Sequence, residues 1–189
     1  MRHAFFVFLF FGIFASFLAL VTQVLFLNFS LFFSVSTLSL QDLSNSASTF
    51  SMPVSVAIEE FAKLLALFAA ISSLRGKNLP LNNFLAALFF GVGFSLYELF
   101  LVMSSASILL AGVIFLLHFS TTVLLLSGLR RLSDHAIFPI FSLLVAFLVH
   151  WGYNTLAQSL LLSTVSGVII SLFLLFLSYR ISSYGSRSS

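Results

Sequence analysis

Residues 107–128 read SILLAGVIFLLHFSTTVLLLSG, a stretch that contains no Asp, Glu, Lys or Arg. About 20 predominantly apolar residues suffice for a helix to cross the hydrocarbon core of a bilayer, so this stretch predicts a transmembrane helix. The whole chain has the same character: of its 189 residues, 60% are hydrophobic and 7% are charged. Because soluble domains carry about 25% charged residues, we expect an integral membrane protein.

Five further stretches are long and apolar enough to span a membrane, which predicts an all-α fold: a single six-transmembrane-helix bundle over residues 1–189. The first stretch is too long for the apolar core of a signal peptide, so we interpret it as a retained helix. Three prolines support the helix starts, and Gly128 is expected to follow the end of the fourth helix. The further stretches are about 4–27, 53–74, 81–103, 137–158 and 162–179, and the prolines are Pro53, Pro80 and Pro139.

The basic residues predict the orientation of the bundle. With six spans, seven of them fall on one side and none on the other, and cytoplasmic loops carry the excess of Lys and Arg. Both termini are therefore expected to be cytoplasmic in a multi-pass protein of the cell membrane. Residues 28–52 are expected to form an outer loop, which is either a connector or a lid or docking segment. Scattered basic residues do not predict a nucleic-acid partner. The seven are Arg2, Arg75, Lys77, Arg130, Arg131, Arg180 and Arg187.

Four predicted helices carry ionisable or strongly polar side chains within their apolar runs. Each intramembrane charge costs about 2.5–3.5 kcal/mol, so three Glu and one Lys would cost on the order of 10 kcal/mol unless they face one another or water. These side chains are Glu59, Glu60 and Lys63 on the second predicted helix, Glu98 on the third, His118 and Thr122 on the fourth, and His150 and Asn154 on the fifth.

The depth of these groups predicts one shared site. Counted from the outer helix ends, the ionisable groups lie roughly 8–16 Å deep, all in the outer half of the bilayer. Glu59 and Lys63 are four residues apart and can pair. Glu60 is rotated by about 100°, can point elsewhere, and is expected to be buried and unpaired. Small residues that would allow close backbone approach flank the site; they are Gly91, Gly93 and Gly152.

The residue types indicate activation of a water molecule. Two histidines and a carboxylate from different helices can hold a divalent metal and leave one position open for water. A further carboxylate can accept the proton, and Asn154 can donate a hydrogen bond to a developing oxyanion. The chain has no Cys, so zinc or another divalent ion would have nitrogen and oxygen ligands. The same groups also permit a mechanism without metal, and both versions stay open.

Four motifs in order resemble those of PrsW-type intramembrane proteases, within the wider group of CAAX prenyl endopeptidases and the Aph subunit of gamma-secretase. The similarity covers about residues 53–156, the expected catalytic core. CAAX enzymes typically carry Arg where Lys63 stands and His where Glu98 stands, so the chain is closer to the PrsW branch. The motifs are Glu59-Glu60-x-x-Lys63, Phe94-x-x-x-Glu98, His118-x-x-x-Thr122 and His150-x-x-x-Asn154.

The resemblance implies an endopeptidase that cleaves a single-span, anti-sigma-like membrane protein near the extracytoplasmic face. It implies Glu59 or Glu60 as the general base, and it implies Asn154 as the group that stabilises the oxyanion. Lys63 and Thr122 are expected to support the site. Glu98, His118 and His150 would bind water or a metal.

Two other function classes fit the same polar residues. One is a six-span carrier subunit for a small molecule or ion, in which the buried charges bind the substrate or relay protons. The other is a non-catalytic membrane scaffold, for which the glutamates would matter for assembly while no product forms. Inverted-repeat symmetry, which many carriers show, is not visible in the sequence.

Overall fold

The structure is a computed structural model that describes residues 2–34, 40–74, 83–103, 108–156 and 160–183. Throughout these ranges the regular structure is helical, without a strand, which confirms the predicted all-α class for the part described. The six helices, in chain order, are α1 Arg2–Ser34, α2 Leu40–Ser73, α3 Asn83–Met103, α4 Ile108–Arg130, α5 Ile137–Leu156 and α6 Leu160–Ser183.

Four of the helices contain segments that are long and apolar enough to cross a membrane. The apolar segment of α3 is shorter, and the apolar sequence of α2 is interrupted by Glu59, Glu60 and Lys63. The lengths of the four qualifying segments are consistent with a multi-pass membrane protein. The four segments are His3–Asn28, Ile108–Arg130, Ile137–Leu156 and Leu161–Ser182.

The outer surface of α1 is apolar, as a surface in contact with lipid would be. Phe6, Phe10 and Phe17 are 68%, 63% and 62% exposed, while Ala4 and Ala15 on the opposite side of the helix are fully buried. At these positions, small residues face the neighbouring helices and large aromatic residues face outward. Such contiguous exposed apolar surface is unusual for a soluble monomer.

Two helix boundaries differ from the sequence-based prediction. Helix α2 begins at Leu40, so Pro53 lies inside it and not at its start; the part of the expected outer loop that the structure describes is helical. Helix α4 continues to Arg130, so Gly128 does not follow its end. Apolar length marks the thickness of the hydrocarbon core, whereas helical hydrogen bonding continues beyond it. Pro80 and the basic residues of the second loop lie outside the described residues.

Helix α4 is the centre of the bundle. It contacts α2, α3, α5 and α6, while α1 packs against α2 and α3. Every residue from Leu117 to Leu129 is buried. The side chain of His118, near the middle of α4, is therefore held among the other helices.

Close backbone contacts fix the helices around this centre. A Cβ atom on Gly93 of α3 would lie 3.0 Å from the Ile13 nitrogen of α1, and one on Gly91 would lie 3.2 Å from Cα of Phe119 in α4. The predicted close approach at these two glycines is confirmed. At Gly152 it is wrong, because a Cβ atom there meets nothing within 4 Å. Gly128 has this role instead: its Cβ would lie 2.9 Å from the Phe138 carbonyl oxygen of α5.

The C-terminal ends of α4 and α6 lie at the same end of the bundle. Arg131, just after α4, donates a hydrogen bond from Nη2 to the Ser182 carbonyl oxygen at 2.5 Å and one from Nη1 to Asp134 Oδ2 at 2.9 Å. The hydrogen bond from Arg131 lowers the pKa of Asp134. Arg130, Arg131 and Arg180 therefore lie at the same end of the bundle.

Candidate functional site

Helix α2 supplies a buried ion pair, and it is not the predicted one. Lys63 Nζ lies 2.6 Å from Glu60 Oε1, and both side chains are fully buried. The pairing of Lys63 with Glu59 that the spacing allows is not observed, and the expectation that Glu60 is unpaired is wrong. Residues three and four apart are both neighbours on a helix, and here the face of α2 turned toward α4 is the one that carries Glu60.

The Lys63 side chain ends among groups of α3 and α4. Its Nζ lies 2.9 Å from His118 Nδ1 and 3.2 Å from Thr121 Oγ1, and it sits 4.6 Å from the centre of the Phe94 ring. An ammonium group has three hydrogens to donate. Glu60, His118 and Thr121 accept them, so the buried cation is fully hydrogen-bonded within the described part of the chain.

Helix α5 brings His150 to the same place. Its Nδ1 lies 2.7 Å from Glu60 Oε1, and its ring centre lies 5.2 Å from that of His118. A carboxylate oxygen only accepts hydrogen bonds, so Nδ1 of His150 is the donor. In the neutral ring, Nε2 then carries the lone pair. Nε2 points toward Glu59, with 3.8 Å between it and Oε2.

Glu59 is held from the other side by helix α1. Gln23 Nε2 donates to Glu59 Oε1 at 2.8 Å and to Ser55 Oγ at 2.6 Å. Among the described atoms, Glu59 Oε2 is buried and has no hydrogen-bond partner. One carboxylate oxygen is thus fixed by α1 while the other faces His150. We refer to Glu59, Glu60, Lys63, His118 and His150 together as the Glu–His cluster.

The remaining predicted site residues have different positions. Thr122 Oγ1 donates to the carbonyl oxygen of His118 on its own helix, at 2.6 Å, so its hydroxyl serves the backbone of α4. Asn154 is half-buried and lines a cavity together with Gln23. The side chain of Glu98, predicted as a metal ligand, lies outside the described residues.

Gln23 was not singled out in the sequence. Its signal was weak, because an amide has no charge and helix α1 lies outside the region of resemblance. A polar amide within a long apolar helix nevertheless needs a hydrogen-bond partner, since an unsatisfied polar group is costly in a lipid environment. Gln23 in α1 meets that need at Glu59 and Ser55.

The cluster contains a set of possible metal ligands. One atom each from Glu59, His118 and His150 lie within 4.8 Å of one another. Glu59 and His150 fit a metal well, because an Nδ1–H bonded to a carboxylate is the usual support of a ligating histidine. His118 fits less well: when the Lys63 ammonium donates to its Nδ1, its hydrogen is on Nε2, and that nitrogen has no lone pair for a metal.

The arrangement brings together a carboxylate oxygen, two imidazoles and a buried ion pair at the centre of an apolar helix bundle. Predicted residues from three different helices meet there, and a fourth helix contributes Gln23. Comparisons of the chain with protein-family models, curated proteins and solved structures found no match. The resemblance to PrsW-type proteases therefore stays a prediction from the four motifs.

Proposed function

We propose that the protein is an intramembrane endopeptidase that hydrolyses a peptide bond of a membrane-protein substrate near the extracytoplasmic face. The main observation behind this proposal is that Glu59 Oε2 and His150 Nε2 face each other at a distance of 3.8 Å. This separation is too long for a hydrogen bond and suits a bridging water, about 2.8 Å from each atom. Glu59 is the general base that takes the proton of this water.

Glu60 supports the reaction as a positioning residue. Its Oε1 already accepts hydrogen bonds from Lys63 and His150, so it is less available than Glu59 to accept a proton from water. By holding the Nδ1 hydrogen of His150, it keeps Nε2 directed at the water. Lys63 neutralises Glu60 and lets this carboxylate stay buried.

His118 accepts at Nδ1 from Lys63, which places its hydrogen on Nε2. Asn154 carries an amide one helical turn from His150, and this amide can stabilise the oxyanion of the tetrahedral intermediate. Donors of this kind, aimed at the position of developing charge, are worth about 10²–10³-fold in rate each. The same hydrogen-bond pattern favours the version of the mechanism without metal.

A divalent ion such as zinc belongs to the alternative version. Glu59, His118 and His150 would hold it, and it would make a bound water nucleophilic at neutral pH. Ligation through His118 Nε2 requires the hydrogen on Nδ1, and hence Lys63 as a neutral amine. Metal analysis of the purified protein separates the two versions. We expect less than about a tenth of an equivalent of metal and cleavage that resists chelators; stoichiometric zinc that is lost in His118→Ala would favour the metal version.

We propose that the protein spans the cell membrane six times. Both of its termini then lie in the cytoplasm. Four apolar helical segments support this arrangement, as does the burial of two α2 charges: Glu60 and Lys63 neutralise each other inside the bundle, so neither has to face lipid. The substrate that this site accepts is a single-span membrane protein, cleaved in the outer part of its helix.

The test is cleavage of co-expressed single-span reporter proteins. Glu59→Gln and His150→Ala are expected to abolish product formation while the protein still accumulates in the membrane. Asp134→Asn and His135→Ala, in the exposed turn after α4, are the matched controls and should cleave like the wild type. Full activity of both cluster variants would refute the proposal. Ligand retained at one equivalent without any cleavage would instead indicate a carrier, and loss of a partner complex without any product would indicate a scaffold.

A further inference from the structure

A cavity lies between α1, α2 and α5 beside the Glu–His cluster. Its volume is about 250 Å³. Its polar wall is formed by Gln23, Ser55 and Asn154, and its apolar wall includes Phe26, Leu27 and Met52. These apolar side chains are partly exposed, so the cavity is accessible from outside the bundle.

Two polar wall residues connect the cavity to the reacting groups. Gln23 donates to Glu59 Oε1 at 2.8 Å, and Asn154 follows His150 by one turn of α5. A group bound in the cavity therefore lies one side chain away from the Glu59 carboxylate. The hydrogen bond from Gln23 to Ser55 at 2.6 Å uses the second amide hydrogen, so the Gln23 amide nitrogen is fixed by α2.

The chemistry of the walls limits what can bind. The described residues that line the cavity include no ionisable side chain. The neighbouring Glu59 carboxylate has one oxygen bonded to Gln23 and the other facing His150, so a charged group brought into the cavity would be desolvated without a counter-ion of its own. Amide and hydroxyl groups can pair with peptide N–H and C=O groups, and the apolar wall suits an uncharged side chain. The ligand class is therefore a neutral peptide segment.

The size of the cavity sets the conformation of that segment. A cavity of about 150 Å³ is known to bind benzene, so about 250 Å³ has room for one large side chain. A helix with its side chains is about 10–12 Å across and does not fit. The segment must enter in an extended form, which also exposes its peptide bonds.

We propose that this cavity is a specificity site: it binds one uncharged side chain of the substrate, in an extended segment next to the cleaved bond. The inference rests on the proposed endopeptidase function. It assigns substrate selection to helix α1, through Gln23 and Leu27, and not only to the helices that carry the Glu–His cluster.

The experiment uses the full-length protein in lipid vesicles with a set of single-span peptides. Each peptide carries Ala, Leu, Phe, Asp or Lys at one position, scanned through the outer part of its helix. At one position relative to the cleaved bond, we expect Asp and Lys to lower kcat/KM at least 100-fold relative to Leu. Leu27→Trp, which fills the cavity, should lower the Phe-to-Ala preference at least 10-fold. Leu25→Trp is the matched control on the outer side of α1 and should keep the wild-type preference.

Cleavage by the wild type with equal rates for charged and apolar peptides, or with a preference that Leu27→Trp leaves unchanged, would overturn the proposal. A second measurement does not depend on cleavage. A photo-crosslinking phenylalanine analogue at position 27 should capture the Leu peptide at least fivefold more than the same analogue at position 25. Capture of lipid alone at both positions would overturn the assignment. Absence of cleavage with capture at position 27 would count against the endopeptidase function and not against the cavity.

Discussion

Removal of one charge from the buried ion pair should destabilise the protein far more than removal of both. In Lys63→Met the side chain keeps much of its length and its apolar stem, while Glu60 loses the cation that lies 2.6 Å from it. Both side chains are fully buried, and breaking a buried pair in this way costs about 3–5 kcal/mol. The folding equilibrium should therefore fall between about 100-fold and 4,000-fold. The hydrogen bond that His150 keeps with Glu60 places the effect toward the lower end.

The double variant Glu60→Gln/Lys63→Met provides the decisive comparison. With both charges gone, the desolvation cost of the pair disappears, and such replacements are often neutral or stabilising by about 1–4 kcal/mol. The hydrogen bonds that Lys63 makes to His118 and Thr121 are lost, at about 1 kcal/mol each. We therefore expect the double variant to recover at least half of the loss measured for Lys63→Met.

The measurement is equilibrium unfolding in mixed detergent micelles. The chain has one Trp, Trp151, which neighbours His150 and is partly exposed, so its fluorescence reports the environment of the cluster. If Lys63→Met unfolded within about 0.5 kcal/mol of the wild type, the range typical of surface substitutions, the pair would not be a buried charge pair. A double variant as unstable as the sum of the two single variants would equally refute the reasoning.

Three further predictions concern packing and catalysis. Gly93→Ala should cost about 1–3 kcal/mol, because the added methyl meets the α1 backbone, whereas Gly112→Ala, whose Cβ meets nothing within 4 Å, should be neutral or stabilising in the same unfolding measurement. Thr122→Val should change cleavage less than about threefold, since the hydrogen bond from its hydroxyl goes to its own helix, while Thr121→Val, which loses an acceptor of Lys63, should lower cleavage more; about 1 kcal/mol or fivefold separates them. Asn154→Ala should lower kcat about 10²–10³-fold with little change in KM, and an unchanged kcat would remove it from the oxyanion site.

The convergence of Glu59, Glu60, Lys63, His118 and His150 could be predicted from the sequence because charge is expensive inside a membrane. Groups that lie at one depth on several apolar helices have to face one another or water, so cost and depth together predict the cluster. The helices themselves followed from apolar length. These are global constraints, and they do not depend on the rotamer of any one side chain.

The partner of Lys63 could not be predicted in the same way. Glu59 and Glu60 both lie within one turn of Lys63, and the rotation of α2 against α4 selects between them. Gln23 was missed because it carries no charge and its partner is 36 residues away along the chain. The role of Gly128 depends on where α5 crosses α4. Each of these details is decided by tertiary packing, which a single helix does not encode.

The position of Glu60 and Lys63 on one helix has a consequence for the biogenesis of the protein. During synthesis α2 leaves the ribosome before α4 and α5 exist. In the six-span arrangement that we propose, the translocon therefore receives these two charges without His118 or His150. Because they are three residues apart and in contact at 2.6 Å, they can enter the bilayer as a neutral pair and avoid two separate insertion costs of about 2.5–3.5 kcal/mol each. Later helices then exchange lipid contacts for contacts with a pair that is already formed.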